Sequence, residues 1–301
     1  MKKNIIVVTG GAGFVGSNLI ERLLKFKNYR IISIDNYSSG DKKNHINDKR
    51  ISYIESDTLK IEKVLKEKIR FIHSLFHFGE FARIFQSFSK FDQCLESNIL
   101  GSKAVFNLCL KNNIKLIYSA TSATLGNDGR DKNLSPYSFT KAKNLEFLEN
   151  LKKWFKFKFE IIYFYNVYGK NHIKRGDMAT IIGIFENQYL NNRPLTVVKP
   201  GTQTRKFTHI DDTIDVCIEA WKKNKCKHYS IAAKSNYSIL QIANFFGGKI
   251  KYLPKRPGER YSSALTRMNL SNNIITKIGK RKIKNHINDF KKIINAQKKY
   301  L

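Results

Sequence analysis

Tyr137 and Lys141, in the stretch "SPYSFTKAK", stand four residues apart, which makes them neighbours on one helix face. A lysine ammonium beside a phenol favours the phenolate. A phenolate can take the proton from a sugar hydroxyl while hydride leaves the same carbon for a nicotinamide. The same spacing occurs by chance on many helices, so the pair gains weight only beside a cofactor site. The run "VVTGGAGFVGSNLI", beginning at Val7, supplies one: Gly10, Gly13 and Gly16 interrupt an apolar run that resumes as an amphipathic pattern. Strand, glycines and helix in that order bring backbone N–H groups and a helix N-terminus to a pyrophosphate, and glycine permits both the tight turn and the close approach. An acid to accept ribose hydroxyls should follow about 20 residues on, and Asp35 in "IISIDN" stands there. Asn36 follows it rather than arginine. A carboxylate at that place repels a 2′-phosphate, so the expected cofactor is NAD and not NADP.

The elements that must position these residues alternate. Strand-like "NIIVVTG", "RIISID", "ISYIES", "SLFHFG", "IKLIYSA" and "FEIIYFYNVYG" are separated by helical patterns from about Ser17 to Lys27, Lys60 to Lys68 and Phe91 to Asn112. Short buried strands between helices indicate an α/β fold with a Rossmann-type, doubly wound parallel sheet. After Gly169 the rhythm changes to a strand, a Gly-containing turn, a strand and a helix in "NNRPLTVVKPGTQTRKFTHIDDTIDVCIEAW", with a further turn at "KRPGER". The expected division is an NAD-binding domain over 1–168, to which segments near 204–232 return, and a smaller C-terminal substrate-binding lobe over 169–301.

The chain has 301 residues, 42% hydrophobic and 26% charged, enough for a globular protein with a sizeable core. Cys94, Cys109, Cys217 and Cys226 form no CxxC pair and have no ligand spacing to the histidines, so free thiols in a reducing cytoplasm are expected, and no metal. The opening lysines before "NIIVV" imitate a secretory leader, but glycines cut the apolar part short and no cleavage site follows. No run approaches the roughly 18 apolar residues of a membrane span. The formal net charge of +31 would attract nucleic acid, anionic lipid or phosphorylated small molecules. Its lysines are scattered beside many Asn and Ile, as an A+T-rich codon bias would leave them, and no nucleic-acid partner is expected. The densest basic segment, "KIGKRKIKNHINDFKKIINAQKKYL", carries Ile283, Ile287, Phe290, Ile293 and Ile294 at helical spacing and reads as a closing surface helix.

Taken in order, "TGGAGFVG", "DNYSSG", "YSFTK", "IYFYNVYG", "GTQTRKFTHIDD" and "RPGER" resemble the motifs of the extended short-chain dehydrogenase/reductases, specifically the sugar-nucleotide epimerases and dehydratases. The resemblance covers nearly the whole chain. It implies that Tyr137 is the catalytic base, that Lys141 lowers its pKa and holds the nicotinamide ribose, and that Thr121, or Ser122 beside it, is the partner hydroxyl. It implies cofactor contacts at Gly10, Gly13, Phe14, Val15, Gly16, Asp35, Asn36, Ser38, Gly40, Asp57, Thr58, Phe78 and Gly79, besides Tyr137 and Lys141. Substrate contacts are expected at Arg83, Thr121, Asn166, Arg205, Arg256 and Glu259, with Arg205 and Arg256 pairing with a diphosphate. Relatives usually pair through two helices, so a homodimer is expected.

Three departures stand out. "HFGEFAR" replaces the more usual "HLAA" and introduces Glu80 and Arg83; the loop between "ATLG" and "SPY" is short; and Lys206 replaces an acid in "RKF". Reaction type follows from the groups around the sugar. A 4,6-dehydratase of this family carries an Asp-Glu pair directly after the catalytic threonine, where this chain has Ser122 and Ala123. A 4-epimerase needs only the tyrosine base, the cofactor and room for a 4-keto sugar to turn over, so an NAD-dependent nucleotide-sugar 4-epimerase is expected. The rivals are an ADP-heptose 6-epimerase, whose second base would fall at Lys174 or Arg175, a 4-keto reductase or dehydrogenase that consumes cofactor, and a non-catalytic binding protein.

Overall fold

The computed structural model describes residues 3–258 and 274–298. The first half of the chain runs β1 (Ile5–Thr9), α1 (Phe14–Leu23), β2 (Arg30–Asp35), β3 (Ile51–Glu55), α2 (Ile61–Leu65), β4 (Ile72–His77), α3 (Gln86–Ser89), α4 (Phe91–Leu95), α5 (Ser102–Lys111), β5 (Lys115–Thr121), α6 (Pro136–Phe155) and β6 (Phe159–Phe164). The second runs β7 (Val167–Tyr168), α7 (Ile181–Leu190), β8 (Leu195–Val198), β9 (Thr204–Lys206), β10 (Thr208–His209), α8 (Ile210–Lys223), β11 (His228–Ala233), β12 (Asn236–Ser238), α9 (Ile239–Phe246), β13 (Ile250–Leu253), β14 (Ile274–Gly279) and α10 (Ile283–Lys298).

Eight of these strands form one parallel sheet in the order β14-β11-β6-β5-β4-β1-β2-β3. Every residue of β1 is buried, as a strand covered on both faces requires. One face packs Ile61, Leu65, Phe106 and Leu148 from α2, α5 and α6; the other packs Leu19, Ile20, Ile214 and Trp221 from α1 and α8. The sheet order reverses between β1 and β4, where a doubly wound sheet opens a crevice for ligands at its strand ends. Register levels that crevice: Thr9 pairs with Ile34 and His77, and His77 with Tyr118.

A second core, with Tyr168, Phe185, Phe207, Ile242, Phe246 and Ile287, holds α7, α9 and α10 together. Three two-stranded ribbons, β7 with β10, β8 with β13 and β9 with β12, frame it. The chain crosses between the cores repeatedly, since β11 and β14 both join the main sheet.

Local chemistry accounts for several boundaries. Helix α1 starts at Phe14, three residues before the sequence pattern indicates, because Gly13 is its N-cap. The helical run from Phe91 holds a π-helical turn over Glu96–Gly101, and a Cβ on Gly101 would overlap the Thr58 hydroxyl. The strand expected through "YNVYG" breaks at Asn166, whose φ is +36°. In α10, Ile283, Ile287 and Ile294 are buried while Ile293 is exposed. Among the described residues no helix is long and apolar enough to cross a membrane. The four cysteines are free thiols, and Cys226 alone of them is not buried.

Candidate active site

The glycine turn between β1 and α1 is shaped by backbone contacts. Gly10 has φ of +69°, the left-handed region that favours glycine. A Cβ on Gly16 would overlap the Gly10 carbonyl oxygen, so α1 approaches the turn only because that position is bare. Gly13, Phe14 and Val15 form the first turn of α1. Asp35, at the end of β2, is buried, and its carboxylate accepts the N–H of Ala12 and of Tyr37, each at 2.9 Å. Burial raises its pKa, partly offset by the N–H groups of Tyr37, Ala12 and Gly13. Gly40 lies against the same carboxylate. Asn36 accepts the N–H of Ser38 at 3.1 Å and donates to Asp57 at 2.6 Å. Thr58 is buried behind Asp57. After β4, the N–H groups of Phe78 and Gly79 donate to the Thr9 hydroxyl at 3.2 and 3.1 Å. Close backbone at a helix N-terminus and a carboxylate with spare lone pairs suit a dinucleotide.

The second part of the site is built from side chains. A capping box, Ser135 with Ser138, and Pro136 in the first turn start α6. The helix buries Tyr137, Lys141 and Asn144, which sit at i, i+4 and i+7 on one face. Burial pushes the pKa of the Tyr137 hydroxyl up to about 12, and Thr121 beside it acts to lower it. Of the two adjacent hydroxyl residues, Thr121 is therefore the one at the phenol. Lys141 lies on Glu80: its ammonium donates to the Glu80 carboxylate, to the Ser119 carbonyl and, at 3.3 Å, to the Tyr118 hydroxyl. Burial lowers the Lys141 pKa, and Glu80 opposes that. Glu80 also accepts from Ser102 at 3.0 Å, Tyr118 at 2.9 Å and Asn144 at 3.2 Å.

His77 joins the two parts. Its ring bonds Thr9 at 2.7 Å and Ser102 at 3.0 Å, and burial pulls its pKa down to about 4. Because Ser102 donates to Glu80, its oxygen accepts from His77 Nε2, which leaves Nδ1 to accept from Thr9. Sequence reasoning missed His77, Ser102, Tyr118 and Asn144. Asn144 carried a usable signal, standing seven residues after Tyr137 on the same face; the others reach the site only through pairing of distant strands.

The expected substrate residues fall into two neighbourhoods. Asn166 donates to the Lys206 carbonyl at 2.9 Å, next to Arg205 on β9. Lys206, the departure in "RKF", donates to the carbonyls of Ala233 and Lys234 at the end of β11. Arg256 stacks over the Phe85 ring at 5.0 Å, close in sequence to half-buried Arg83, which donates to the Met178 carbonyl. Glu259 lies outside the described residues. Lys174 pairs with Glu186 at 2.8 Å, and Arg175 donates to Asn187 at 2.8 Å, both on α7.

A model of the NAD dependent epimerase/dehydratase family matches residues 6–232. A curated "Putative UDP-glucose 4-epimerase" of Methanocaldococcus jannaschii is 27% identical over 275 residues, covering 85% of this chain and 88% of that protein. ADP-L-glycero-D-manno-heptose-6-epimerase of Fusobacterium nucleatum is 29% identical over 232 residues, 70% of this chain and 69% of that one. Among solved structures, a UDP-N-acetylglucosamine 4-epimerase from Methanobrevibacter ruminantium, in complex with UDP-N-acetylmuramic acid, superposes with a TM-score of 0.83 at 25% identity, covering 99% of this chain and 100% of that one.

Proposed function

The chain belongs to the NAD dependent epimerase/dehydratase family, and from that premise we propose that it is a nucleotide-sugar 4-epimerase acting on a UDP-glucose or UDP-N-acetylhexosamine type of substrate. The observation that carries the reading is buried Tyr137 on one face of α6 with buried Lys141, with Thr121 near enough to lower the pKa of its hydroxyl, and with Ser122 and Ala123 where a dehydratase needs two acids.

NAD, when bound, supplies a reversible hydride acceptor. Gly10, Gly13, Phe14, Val15 and Gly16 would hold its pyrophosphate; Asp35, Asn36, Ser38, Gly40, Asp57 and Thr58 its adenosine half; Phe78, Gly79 and Lys141 its nicotinamide half. Tyr137 takes the proton from the sugar O4 hydroxyl and returns it after the ketose has turned over. Thr121, beside the phenol, would assist that exchange by lowering the pKa of Tyr137. Asn166, Arg205 and Arg256 would grip the nucleotide diphosphate and Glu259 would approach the nucleoside ribose, which leaves the sugar free to rotate. On this reading 1–168, with the returning segment 204–232, serves the cofactor and most of 169–301 serves the substrate.

The heptose relative supports a second reading, a 6-epimerase. It asks for another base at Lys174 or Arg175, and both are engaged on α7. The reading extends to a homodimer in the cytoplasm making polysaccharide precursors. Phe139, Trp154 and Phe155, exposed along α6, support the dimer as apolar surface open to a partner.

The test is proton NMR of the purified protein incubated separately with UDP-glucose, UDP-N-acetylglucosamine and an ADP-heptose, without added cofactor. A C4-inverted sugar with no net redox change is expected. Turnover only with stoichiometric NAD or NADH would replace the epimerase by a dehydrogenase or reductase, and C6 inversion of the heptose would install the rival.

A further inference from the structure

The stretch "ARIFQSFSK", residues 82–90, follows β4 and carries no group that the mechanism above uses. It is nevertheless tied to the site along its whole length. Arg83 donates to the Met178 carbonyl, and the Lys90 ammonium pairs with Asp177 at 2.8 Å, so both ends hold the segment that leads into α7. Between them, buried Ser87 donates to the Ile84 carbonyl at 2.6 Å and accepts the Tyr137 N–H at 3.3 Å. Ile84 packs against the cluster that contains Tyr137. The stretch is thereby a platform fixed to the first turn of α6, where the base stands.

Two phenylalanines of the platform, Phe85 and Phe88, are each 40% exposed, and the "RPG" turn rests on them. The Arg256 guanidinium lies over the Phe85 ring at 5.0 Å, and a Cβ on Gly258 would come within 2.8 Å of the Phe88 ring and 3.0 Å of Ile84. Stacking engages the face of a guanidinium and none of its in-plane N–H donors. An arginine seated in this way keeps the edge that makes two parallel bonds to a phosphate. An unseated arginine must lose its rotamer freedom on binding, and a seat removes part of that cost beforehand.

We propose that Phe85 is a positioning residue whose ring seats the Arg256 guanidinium for the substrate diphosphate, on a platform that also fixes where that clamp stands relative to Tyr137. The inference rests on the reading of Arg256 as a diphosphate contact. In an epimerase of this kind the diphosphate stays gripped while the sugar turns over, so the span from clamp to base decides which ring hydroxyl meets the phenol. Phe85 acts on the substrate only through Arg256.

The experiment titrates the full chain with UDP and, separately, with ADP by calorimetry. Phe85→Leu keeps an apolar side chain at a half-open position but removes the π face, and it should weaken binding of the better nucleotide about fivefold. Phe85→Tyr should restore wild-type affinity, and NAD affinity should not move in either variant. Arg256→Gln should weaken binding about tenfold or more, and adding Phe85→Leu to it should change nothing further, because a seat without its occupant has no effect. Unchanged affinity in Phe85→Leu overturns the proposal. So does a second fivefold loss in the Arg256→Gln background, or an equal loss of NAD affinity, since either would make Phe85 a general prop of the fold. Turnover is not involved, so a chain that binds UDP as expected and inverts no sugar breaks the epimerase reading alone. Tighter binding of ADP than of UDP would end the UDP-sugar reading, and the same comparison of variants then decides the role of Phe85 on ADP.

Discussion

The glycine turn and the Tyr137 floor adjoin each other, yet they are made of different materials. The turn is backbone: a left-handed Gly10, a Gly16 that must lack a Cβ, and N–H groups gathered on Asp35 and Thr9. The floor is side chains: Glu80, Tyr118, Lys141 and Asn144 buried together, each satisfied by the others. Backbone fixes shape and tolerates little change in it, whereas a buried charge network fixes electrostatics and punishes an unmatched charge. Lesions in the turn should therefore appear in cofactor affinity, and lesions in the floor in the rate.

The sharpest way to break that comparison is Tyr137→Phe, which removes one oxygen from the floor and leaves the turn intact. Turnover should fall by about 10²- to 10⁴-fold, the usual worth of a general base, with NAD affinity by calorimetry unchanged. A variant that retains wild-type turnover would end the assignment. Next in size is Asp35→Ala. Hydrogen bonds to a charged group contribute about 1.5–3 kcal/mol, so NAD affinity should drop by one to two orders of magnitude. The N–H groups of Ala12 and Tyr37 lose their acceptor as well, and NADP should become relatively better tolerated. Equal binding of NAD by variant and wild type would show that the carboxylate serves the loop alone. Smaller again is Gly16→Ala, where the new methyl meets the Gly10 carbonyl. Overpacking of that kind costs about 1–3 kcal/mol, to be read as a lower urea midpoint together with weaker NAD binding.

The contrast in materials also explains what was legible in the sequence. Backbone shape writes itself locally: three glycines, an apolar run before and an amphipathic run after identify the turn, and Asp35 follows at the distance a second strand imposes. The pairing of Tyr137 with Lys141 on one face is local as well. Glu80 is different, since its partner Lys141 stands 61 residues away. That contact exists only because β4 pairs β5 and α6 returns to cover it. The sequence shows Glu80 as an oddity in "HFGEFAR" and leaves its partner unnamed. The lobe was read in part for the same reason: β8, β9 and α8 carry local patterns, whereas β11 and β14 enter the main sheet through long-range pairing.

A third region ties turn to lobe, and it gives the smallest of the expected effects. The segment after β7 grips α1: Asn18 donates to the Lys170 carbonyl at 2.9 Å, Asn171 to the Ser17 hydroxyl at 3.1 Å, and the His172 ring meets Phe14 edge-on at 6.0 Å. His172 in turn bonds buried Glu186 on α7 at 2.9 Å, which also takes His286 of α10 and Lys174. Burial alone would raise the Glu186 pKa, but the bonds from His172, His286 and Lys174 outweigh it and hold the carboxyl well below its ordinary 4.5. A depressed carboxyl stabilises the fold above its unfolded pKa and ceases to do so as pH falls through the folded one. Glu186→Gln should thus cost on the order of 1 kcal/mol at pH 7, and its disadvantage in urea unfolding should shrink as the pH is lowered below about 4.5. Its turnover should change less than that of Tyr137→Phe, because Glu186 holds only the frame. If the deficit instead stayed constant down to the acid limit, the joint would owe its strength to packing, and Glu186 would belong with the backbone-built turn rather than the charge-built floor.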